Sequence, residues 1–337
     1  MKLSTGYPEK IQCRLCHHKC RLAAGQIGRC GVRQGDGSTV KSLVYGKLVA
    51  ENVDPVEKKP LFHVLPGSLT YSIATPGCNF TCRHCQNSSI SQVSGGFSGW
   101  LSKGHSIIER SPQEVVDRAI SSRCNSVSYT YVEPTVFFEY AYDCAVLAKQ
   151  QGLGNLYISN GYMSDEVFEL LAPLITAINI DLKSWSDTFY AKICGARLAP
   201  VVENIRKCVE SGLWVEVTTL LIPGLNDSAG ELQEIAMFLA NLDRNIPWHV
   251  TAFYPSYKMA TTASTPQATI DLALKIGRKA GLNHVYSGNI ASTDGESTIC
   301  PRCGERLITR NHFTLQNNRL KDGRCYCCNA AIAGVWR

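Results

Sequence analysis

The chain has 337 residues, a mass of 37.0 kDa and 45% hydrophobic residues, which is enough for a sizeable core and excludes a disordered, collagen-like or coiled-coil protein. Its 34 Lys and Arg against 28 Asp and Glu give a net charge of +6, a mildly basic balance that permits an acidic or nucleic-acid partner without requiring one. No apolar run approaches the roughly 20 residues that cross a bilayer, and residues 1–10 lack the apolar stretch of a signal peptide, so we expect a cytoplasmic protein without a membrane partner.

The 16 cysteines are the most informative part of the composition. A chain of this length without an export signal does not fit the small disulfide-rich secreted domains, so metal–thiolate sites in a reducing compartment fit better. The scattered Cys144 and Cys208 are interpreted as ordinary buried thiols, because a free cysteine behaves as a small hydrophobic residue. Cys124 and Cys194 are scattered as well, and the remaining twelve form three groups: Cys13, Cys16, Cys20 and Cys30; Cys78, Cys82 and Cys85; and Cys300, Cys303, Cys325, Cys327 and Cys328.

Strands and helices alternate between the cysteine-rich ends. Six short segments are apolar and rich in β-branched or aromatic residues, which predicts strands. Six β/α units in a row predict a parallel sheet with right-handed crossovers, either as an open barrel or as a doubly wound sheet. In both folds the chemistry lies at the carboxyl ends of the strands. The predicted strands cover residues 70–75, 126–131, 156–160, 177–181, 214–221 and 248–253.

Helix signals lie between these strands. Ser111 followed by Glu114 reads as a capping box, and Gly281 is typical of a helix end. The predicted helices cover residues 114–122, 231–242 and 266–280.

The central cysteines follow the first predicted strand in the pattern C-x3-C-x2-C, as Cys78, Cys82 and Cys85. Three thiolates do not complete a tetrahedral zinc site, which usually has four ligands. They can hold three irons of a 4Fe–4S cluster and leave the fourth iron open to a substrate. The alternative is a zinc site that borrows a distant ligand or His84, although a side chain between two of the cysteines would point away.

At these residues the sequence resembles the radical SAM superfamily, whose C-x3-C-x2-C motif follows the first strand of a partial β/α barrel. The resemblance implies a partial (β/α)6 barrel and a 4Fe–4S cluster whose open iron is chelated by S-adenosylmethionine. Electron transfer into the sulfonium would then break a C–S bond and yield a 5′-deoxyadenosyl radical. It also implies an electron donor such as a flavodoxin or a ferredoxin. His84 stands where the family often has an aromatic residue near the adenine.

Two further resemblances lie after the second and third predicted strands. Residues 131–134 stand where the family often has Gly-Gly-Glu-Pro. Glu133 matches the glutamate, and Tyr131 and Val132 take the places of the two glycines. The resemblance implies that Glu133 accepts hydrogen bonds from the α-ammonium of the cofactor; the alternative is an N-cap for the next helix. Asn160 lies in a turn similar to the Thr-Asn-Gly turn of activating enzymes.

The later strands carry three more candidate residues. Asp181 and Lys183 match the Asp-x-Lys motif of the same enzymes and point to one side of a strand. They would reach the ribose and carboxylate of one ligand, unless they form a structural ion pair. His249 resembles a barrel histidine of this group, with a core histidine as the alternative.

The N-terminal cysteines form the pattern C-x2-C-x3-C-x9-C, which suits a closed site of four thiolates. Thiolates bind zinc and iron alike. We favour structural zinc here, with an auxiliary 4Fe–4S cluster that passes electrons inward as the alternative.

The C-terminal cysteines predict a zinc ribbon. A zinc knuckle is a turn that carries two cysteine ligands and needs a residue with positive φ after the second cysteine. Gly304 after Cys303 adopts this conformation readily, and Asn329 after Cys328 tolerates it. Cys327 lies inside the second knuckle and is not expected to be a ligand. We predict a structural zinc ion, with an auxiliary iron–sulfur cluster as the alternative; the ligands would be Cys300, Cys303, Cys325 and Cys328.

With the ends included, the sequence looks like the AmmeMemoRadiSam system radical SAM enzymes, relatives of pyruvate formate-lyase activating enzymes. The resemblance lies in residues 13–20, 28–33, 54–61 and 323–336. It implies a protein substrate that receives a glycyl radical or another modification, and Memo-like and AMMECR-like proteins as partners or substrates. The predicted division is a cysteine-rich segment over residues 1–66, the barrel over 67–292 and the zinc ribbon over 293–337.

A second class of function is a zinc-ribbon protein that binds nucleic acid or modifies RNA. Lys and Arg residues are scattered near the C-terminus without forming a dense run. This pattern supports a nucleic-acid partner only weakly.

Overall fold

The computed structural model describes residues 10–93, 95–290 and 295–337. The first nine residues of the predicted segment 1–66 and the predicted boundary at 293 lie outside the described residues. In the described part of the chain, no helix is both long and apolar enough to span a membrane.

Short strands make up the N-terminal part. Pairs of β1 with β2 and of β3 with β4 are antiparallel ladders of two or three residues, too small to form a core of their own. The loop between β1 and β2 docks onto the loop after the third barrel strand, where His17 N donates to Tyr162 O and Ser164 N donates to Leu15 O. The strands are β1 (Ile11–Gln12), β2 (Arg21–Leu22), β3 (Arg33–Gly35), β4 (Val40–Ser42), β5 (Lys47–Leu48) and β6 (Ala50–Pro55).

One large sheet forms the centre of the molecule. The short strand β8 (Ile108–Glu109) pairs with β5 outside this sheet. The strands of the large sheet are β6, β7 (Leu69–Ala74), β9 (Ser126–Tyr129), β10 (Gly154–Ser159), β11 (Ala177–Asp181), β12 (Trp214–Leu221), β13 (Trp248–Ala252) and β14 (Val285–Gly288). Within the described residues the sheet has eight strands in the order β14-β13-β12-β11-β10-β9-β7-β6. Strand β6 runs antiparallel to β7, and the other neighbours are parallel.

The predicted partial barrel is confirmed, since each of the six predicted strands lies in this sheet. The structure adds β14 and β6, which the sequence did not predict. Strand β14 is four residues long, and β6 reads Ala-Glu-Asn-Val-Asp-Pro with exposed positions, so neither has an apolar run. Strand β6 lies within the segment 1–66 and is nevertheless hydrogen-bonded into the barrel sheet.

Helices cover the outer face of the sheet. The predicted capping box is confirmed: Glu114 N donates to Ser111 Oγ, and Ser111 N donates to the Glu114 carboxylate. Both Cys144 and Cys208 are fully buried on their helices, as predicted. The helices are α1 (Ser88–Ser91), α2 (Gly96–Leu101), α3 (Pro112–Ser121), α4 (Phe138–Gln150), α5 (Asp165–Leu171), α6 (Asp187–Phe189), α7 (Leu198–Glu210), α8 (Ala229–Leu242) and α9 (Gln267–Lys279).

The C-terminal strands form a small antiparallel unit that packs on the barrel. Arg310 Nη2 donates to Phe62 O at 2.6 Å, and Val335 N donates to His63 O at 2.7 Å. The guanidinium of Arg310 also lies 3.5 Å from the buried Glu57 carboxylate. These contacts place the unit beside the chain that leads into β7. Its strands are β15 (Thr298–Ile299), β16 (Arg306–Asn311), β17 (Thr314–Asn318), β18 (Leu320–Lys321) and β19 (Arg324–Cys325).

Candidate active site

A cavity of about 910 Å³ opens at the carboxyl ends of the parallel strands. Its size lies in the range of small-molecule binding sites, and its position is the one expected for a parallel β/α sheet. It brings together all the residues predicted for the central site: Cys78, Cys82, His84, Cys85, Glu133, Asn160, Asp181, Lys183 and His249.

The loop that carries the three cysteines is fixed by backbone hydrogen bonds. Thr81 N donates to Cys194 O at 2.8 Å, and Arg83 N donates to Ile193 O at 3.0 Å. The thiol of Cys85 lies 3.2 Å from the Ser91 hydroxyl. These contacts hold the loop against the helical segment 190–194 and α1.

The turn before this loop requires glycine. Gly77 has φ of +100°, and an added Cβ would lie 2.7 and 2.8 Å from the two methyl groups of Val32 and 2.9 Å from Cys30 O. The turn at Pro76-Gly77 is thus also a close contact with the N-terminal cysteine segment. Any side chain at 77 would separate the two.

The three thiols suit an iron–sulfur cluster by their environment. Burial raises the pKa of the Cys78 thiol well above its usual range and raises that of Cys85. The pKa of Cys82 is also raised well above its usual range, by a hydrogen bond with Cys194 and by burial. Bare thiolates are therefore unfavourable here, and a bound metal cluster would supply the positive charge that holds them ionised.

Glu133 lies at the centre of a buried hydrogen-bond network. Its carboxylate accepts from Asn160 N at 2.7 Å, from Ser159 Oγ at 2.9 Å, and from Thr135 N and Oγ1 at 3.1 and 2.5 Å. Burial raises its pKa even though these donors favour the ionised form. The bond from Thr135 N caps the short helix Pro134–Phe137, so the capping role considered as an alternative is present. The same carboxylate lines the cavity.

Tyr131, two residues before Glu133, has a left-handed backbone with φ of +64°. The first position of the Gly-Gly-Glu-Pro pattern is a glycine, which adopts a positive φ without strain. Tyrosine takes its place here, and a bulky residue is strained in this conformation. Its hydroxyl donates to Asp54, and its ring lies 4.4 Å from the Lys59 ammonium. These contacts oppose the strain and fix the residue beside the cavity.

Asn160 links the cavity to the residue after Cys78. Its amide nitrogen donates to Asn79 Oδ1 at 2.7 Å and lies 4.0 Å from the Cys78 sulfur. Its carbonyl oxygen accepts from Tyr162 N at 3.1 Å. The predicted Asn-Gly turn therefore holds Asn160 against the cysteine loop.

Asp181 and Lys183 point to one side, as predicted, and form an ion pair of 2.9 Å. The Lys183 side chain is 15% exposed and that of Asp181 is 40% exposed. Burial opposes the charge on Lys183, but Asp181 and the Cys82 sulfur outweigh it and raise its pKa. The ion pair considered as an alternative is present, and both side chains still face the cavity.

His249 lies deep in the barrel. Its Nε2 is 2.6 Å from the buried Glu216 carboxylate, and its ring packs edge-on against Phe62 and stacks with Tyr286. The contacts of His249 are therefore those of a core histidine, the alternative considered from the sequence. The same residue also lines the cavity.

His84 is buried and lines the same cavity. Burial and the nearby Lys183 lower its pKa to about 3, so its imidazole is neutral. In the described residues its Nδ1 has no hydrogen-bond partner. A buried polar atom without a partner beside three thiols fits a site that receives a ligand.

Sequence reasoning missed two sets of cavity residues. Lys58 and Lys59 come from the motif over 54–61, which was singled out but given no role. Lys59 pairs with Asp54 at 2.6 Å, and burial lowers its pKa to about 8. His312 and Phe313 reach the cavity from the turn after β16, and no sequence signal marked them.

The C-terminal cysteines converge on one point. The sulfurs of Cys300 and Cys328 are 3.6 Å apart and those of Cys303 and Cys325 are 3.7 Å apart. All four lie within 4.8 Å of one another, and Cys327 is not among them. The left-handed backbones predicted at Gly304 (φ +78°) and Asn329 (φ +58°) are confirmed.

The N-terminal cysteines line a second, much smaller cavity of about 20 Å³. It is separate from the large cavity and lies beside Asn79. The cysteines that line it are Cys13, Cys16, Cys20 and Cys30.

Comparison with known proteins gives the following matches. The sequence profile of the Radical SAM superfamily matches residues 72–239. The uncharacterized protein MJ0808 of Methanocaldococcus jannaschii is 38% identical over 326 residues, which cover 96% of this chain and 95% of that protein. From the same organism, the "Putative glycyl-radical enzyme activating enzyme MJ1632" is 26% identical over 199 residues, covering 58% of this chain and 71% of that protein.

Among solved structures, Streptococcus suis SuiB bound to precursor peptide SuiA superposes with a TM-score of 0.52 at 14% identity. The match covers 69% of this chain and 51% of that one. At this identity the likeness concerns the fold.

Proposed function

The chain belongs to the radical SAM superfamily and is an enzyme of S-adenosylmethionine-dependent radical chemistry; on that premise we propose that its cavity performs this chemistry on a peptide or protein. Cys78, Cys82 and Cys85 would bind the 4Fe–4S cluster, and S-adenosylmethionine would bind beside it. When bound, the cluster supplies the electron that cleaves S-adenosylmethionine and so provides the radical that abstracts hydrogen from the substrate.

The observation that carries this proposal is the convergence of three thiols and a set of polar side chains in one cavity. The thiols come from the loop after β7, while Glu133, Asn160 and Lys183 come from the ends of three other strands. Residues so far apart in sequence meet at one place because parallel strands end at the same edge of the sheet.

The polar residues have separable tasks in this proposal. Lys183 offers an ammonium for a carboxylate of the bound molecule, and Asp181, more exposed, offers an acceptor for its hydroxyl groups. Glu133 offers a carboxylate to its ammonium while holding Ser159 and Asn160 in place. His84, neutral and without a partner for its Nδ1 among the described residues, lies next to the cysteines and is available to pack against a heterocyclic base.

A peptide or protein is the substrate class that the comparisons favour. MJ1632 carries the name of a glycyl-radical enzyme activating enzyme, and SuiB is a fold neighbour whose structure contains a precursor peptide. We extend this to a backbone glycine as the position of hydrogen abstraction, with Memo-like and AMMECR-like proteins as the first partners to test. The enzyme assignment is favoured over the nucleic-acid-binding module, and the reductant would be a flavodoxin or a ferredoxin.

We assign zinc to the C-terminal cysteines. Zn–S bonds of about 2.3 Å in a tetrahedron place sulfur atoms about 3.8 Å apart, close to the 3.6 and 3.7 Å separations here. We propose the division into the segment 1–66, the barrel over 67–292 and the zinc unit over 293–337, with β6 of the first segment joined to the barrel sheet.

The test is formation of 5′-deoxyadenosine by anaerobically reconstituted protein with dithionite and S-adenosylmethionine. The variant with Cys78, Cys82 and Cys85 all changed to Ala should form none. A matched Cys124→Ala control removes a buried thiol outside the three clusters and should keep the activity. Wild-type rates in the triple variant would refute the assignment of the central site.

A further inference from the structure

The cysteine loop, residues 78–85, has an exposed side that does not line the large cavity. Thr81 and Arg83 are exposed on this side, and Cys82 lies between them. A cluster bound through Cys82 therefore lies within one residue of the protein surface. Electron transfer between proteins slows steeply with distance, so this side of the loop is a short route into the central site.

Two segments from later in the chain pack against this side of the loop. The segment 192–197 is held there by the two backbone hydrogen bonds from the loop described above. The segment after β13 is held at two points, since Lys258 N donates to Arg83 O at 3.0 Å and Ser256 Oγ donates to Cys85 O at 3.3 Å. The loop and these two segments therefore form one surface.

Arg29 brings the N-terminal part of the chain to the same surface. Its Nη2 donates to Gly195 O at 2.7 Å. Gly195 has φ of +69°, and an added Cβ would lie 2.6 Å from this nitrogen and would clash with Thr81 Oγ1. Arg29, Gly195 and Thr81 thus meet at one point, next to Cys82. Four segments that are far apart in the sequence contribute to this surface.

The surface carries a concentration of positive charge. Five basic residues on it are exposed, and none of them lines the large cavity. In the described part of the chain none of the five forms an ion pair, although Asp187 is near enough to Arg197 for their charges to interact. We call this surface the basic patch, and its charged residues are Arg29, Arg83, Lys192, Arg197 and Lys258.

An exposed tyrosine lies within the basic patch. Tyr257 is 39% exposed, and its ring centre lies 5.2 Å from the Lys258 ammonium. Its backbone is left-handed with φ of +50°, a conformation that is strained for a bulky residue. The residues on both sides of it are hydrogen-bonded to the cysteine loop, and these bonds hold it in place. Tyrosine and arginine are enriched among the residues that carry the binding energy of protein interfaces.

We propose that the basic patch is the docking surface for the protein that reduces the central cluster, a small acidic one-electron carrier of the flavodoxin or ferredoxin type. This rests on the proposed function, which requires a reductant. The carrier is oxidised by one electron, and the cluster is reduced by the same electron. Opposite charges bring the two proteins together and orient them, while Tyr257 packs against the carrier.

The position of the patch favours an electron carrier over a nucleic acid. A nucleic-acid substrate has to reach the large cavity, and the residues that line this cavity do not include the patch. A carrier has to come close to the cysteines, and the patch lies against their loop. The substrate and the carrier therefore bind at different surfaces and can be present together.

The test variant is Lys192→Glu with Lys258→Glu, two exposed positions of the patch. The matched control is Lys275→Glu with Lys279→Glu, which makes the same change of charge. Both control residues are exposed near the end of α9 that leads into β14, so they lie towards the amino ends of the strands, opposite the cysteine loop. An acidic flavodoxin and, separately, an acidic ferredoxin are the probes, each fully reduced before mixing.

The first measurement is the rate at which each probe reduces the anaerobically reconstituted protein in stopped flow. At low salt the test variant should react at least about tenfold more slowly than the wild type, and the control should differ by less than about twofold. The difference should disappear in about 1 M salt, where charges are screened beyond about 3 Å. Equal losses in the test and control variants, or no reduction of the wild type by either probe, would overturn the proposal.

The second measurement is calorimetric titration of each probe into the same proteins. Tyr257→Gly permits the positive φ and removes the ring, so it should weaken binding at low and high salt alike. Full affinity for both probes in the Lys192→Glu, Lys258→Glu protein, with lost binding of a single-stranded RNA, would assign the patch to nucleic acid instead. Dithionite bypasses the patch, so 5′-deoxyadenosine formation with dithionite should be unchanged in all these variants. A wild type that forms none with dithionite would refute the proposed function, whereas the binding results test the patch alone.

Discussion

Replacement of Glu133 by Gln should weaken both the fold and cofactor binding. The substitution keeps the shape of the side chain and turns one carboxylate oxygen into an NH2 group. Oε1 faces the backbone N–H of Thr135, and Oε2 faces that of Asn160. The hydroxyl groups of Ser159 and Thr135 can rotate to accept from the new amide, but the two backbone donors cannot.

The magnitude follows from this geometry. Whichever way the amide of Gln is turned, one buried N–H loses its acceptor and faces another donor. A hydrogen bond to a charged group contributes about 1.5–3 kcal/mol. At about 2–4 °C per kcal/mol for large domains, Glu133→Gln should lower the melting temperature by about 3–12 °C. Affinity for S-adenosylmethionine should fall by about one to two orders of magnitude, since the same free energy is lost at the ammonium of the ligand.

The assay combines thermal melting without S-adenosylmethionine and calorimetric titration of S-adenosylmethionine into the same reconstituted samples. Glu169→Gln is the matched control, because Glu169 is exposed on α5, and it should change neither quantity. A Glu133→Gln protein that melts like the wild type would refute the structural part of this reasoning. Unchanged affinity with a lowered melting temperature would refute the ligand-binding part.

Three further predictions concern the rest of the molecule. Gly77→Ala should lower the free energy of unfolding in urea by about 2 kcal/mol more than Gly152→Ala, because both glycines have positive φ but an added Cβ clashes only at 77; equal losses would contradict the close contact. Cys300→Ser should remove about one zinc per chain and expose residues 295–337 to protease, whereas Cys327→Ser should keep both; zinc retained in the Cys300 variant would contradict the ligand assignment. Burial lowers the pKa of His284 to about 4, below its unfolded value of 6.5, so the unfolded chain binds more protons and stability is lost as pH falls from 6.5 towards 4. His284→Gln should make this loss shallower by up to about 1.4 kcal/mol per pH unit in urea melts, and identical slopes would show that the residue does not titrate there.

Local signals in the sequence were sufficient for much of the fold. The six barrel strands and the Ser111 capping box depend on runs of neighbouring residues, and the structure has both. Strand β14 was missed because four residues, Val-Tyr-Ser-Gly, do not form an apolar run. Its place in the sheet depends on pairing with β13, a contact between distant segments.

The candidate site, too, was only partly predictable from the sequence. Motifs at strand ends predicted that Glu133, Asn160 and Asp181 would meet the cysteine loop, because parallel strands end at one edge. They did not predict that Glu133 is already bonded to four donors, nor that Lys59 and His312 reach the same cavity. Those contacts join residues that no local pattern relates.

The sequence by itself determined how the cysteines are grouped and which strands lead to the candidate site, because cysteine spacing and strand-end motifs are properties of short segments. Only the tertiary structure decided how far apart the thiols of each set stand. The C-terminal sulfurs converge because Cys300 and Cys325 are buried in one small apolar cluster with Leu307, Ile308 and Ile332. The N-terminal thiols line a small separate cavity because their segment packs against Gly77 and is hydrogen-bonded to the loop at Tyr162. Distances between segments that are far apart in the sequence are fixed by packing, which no local pattern encodes.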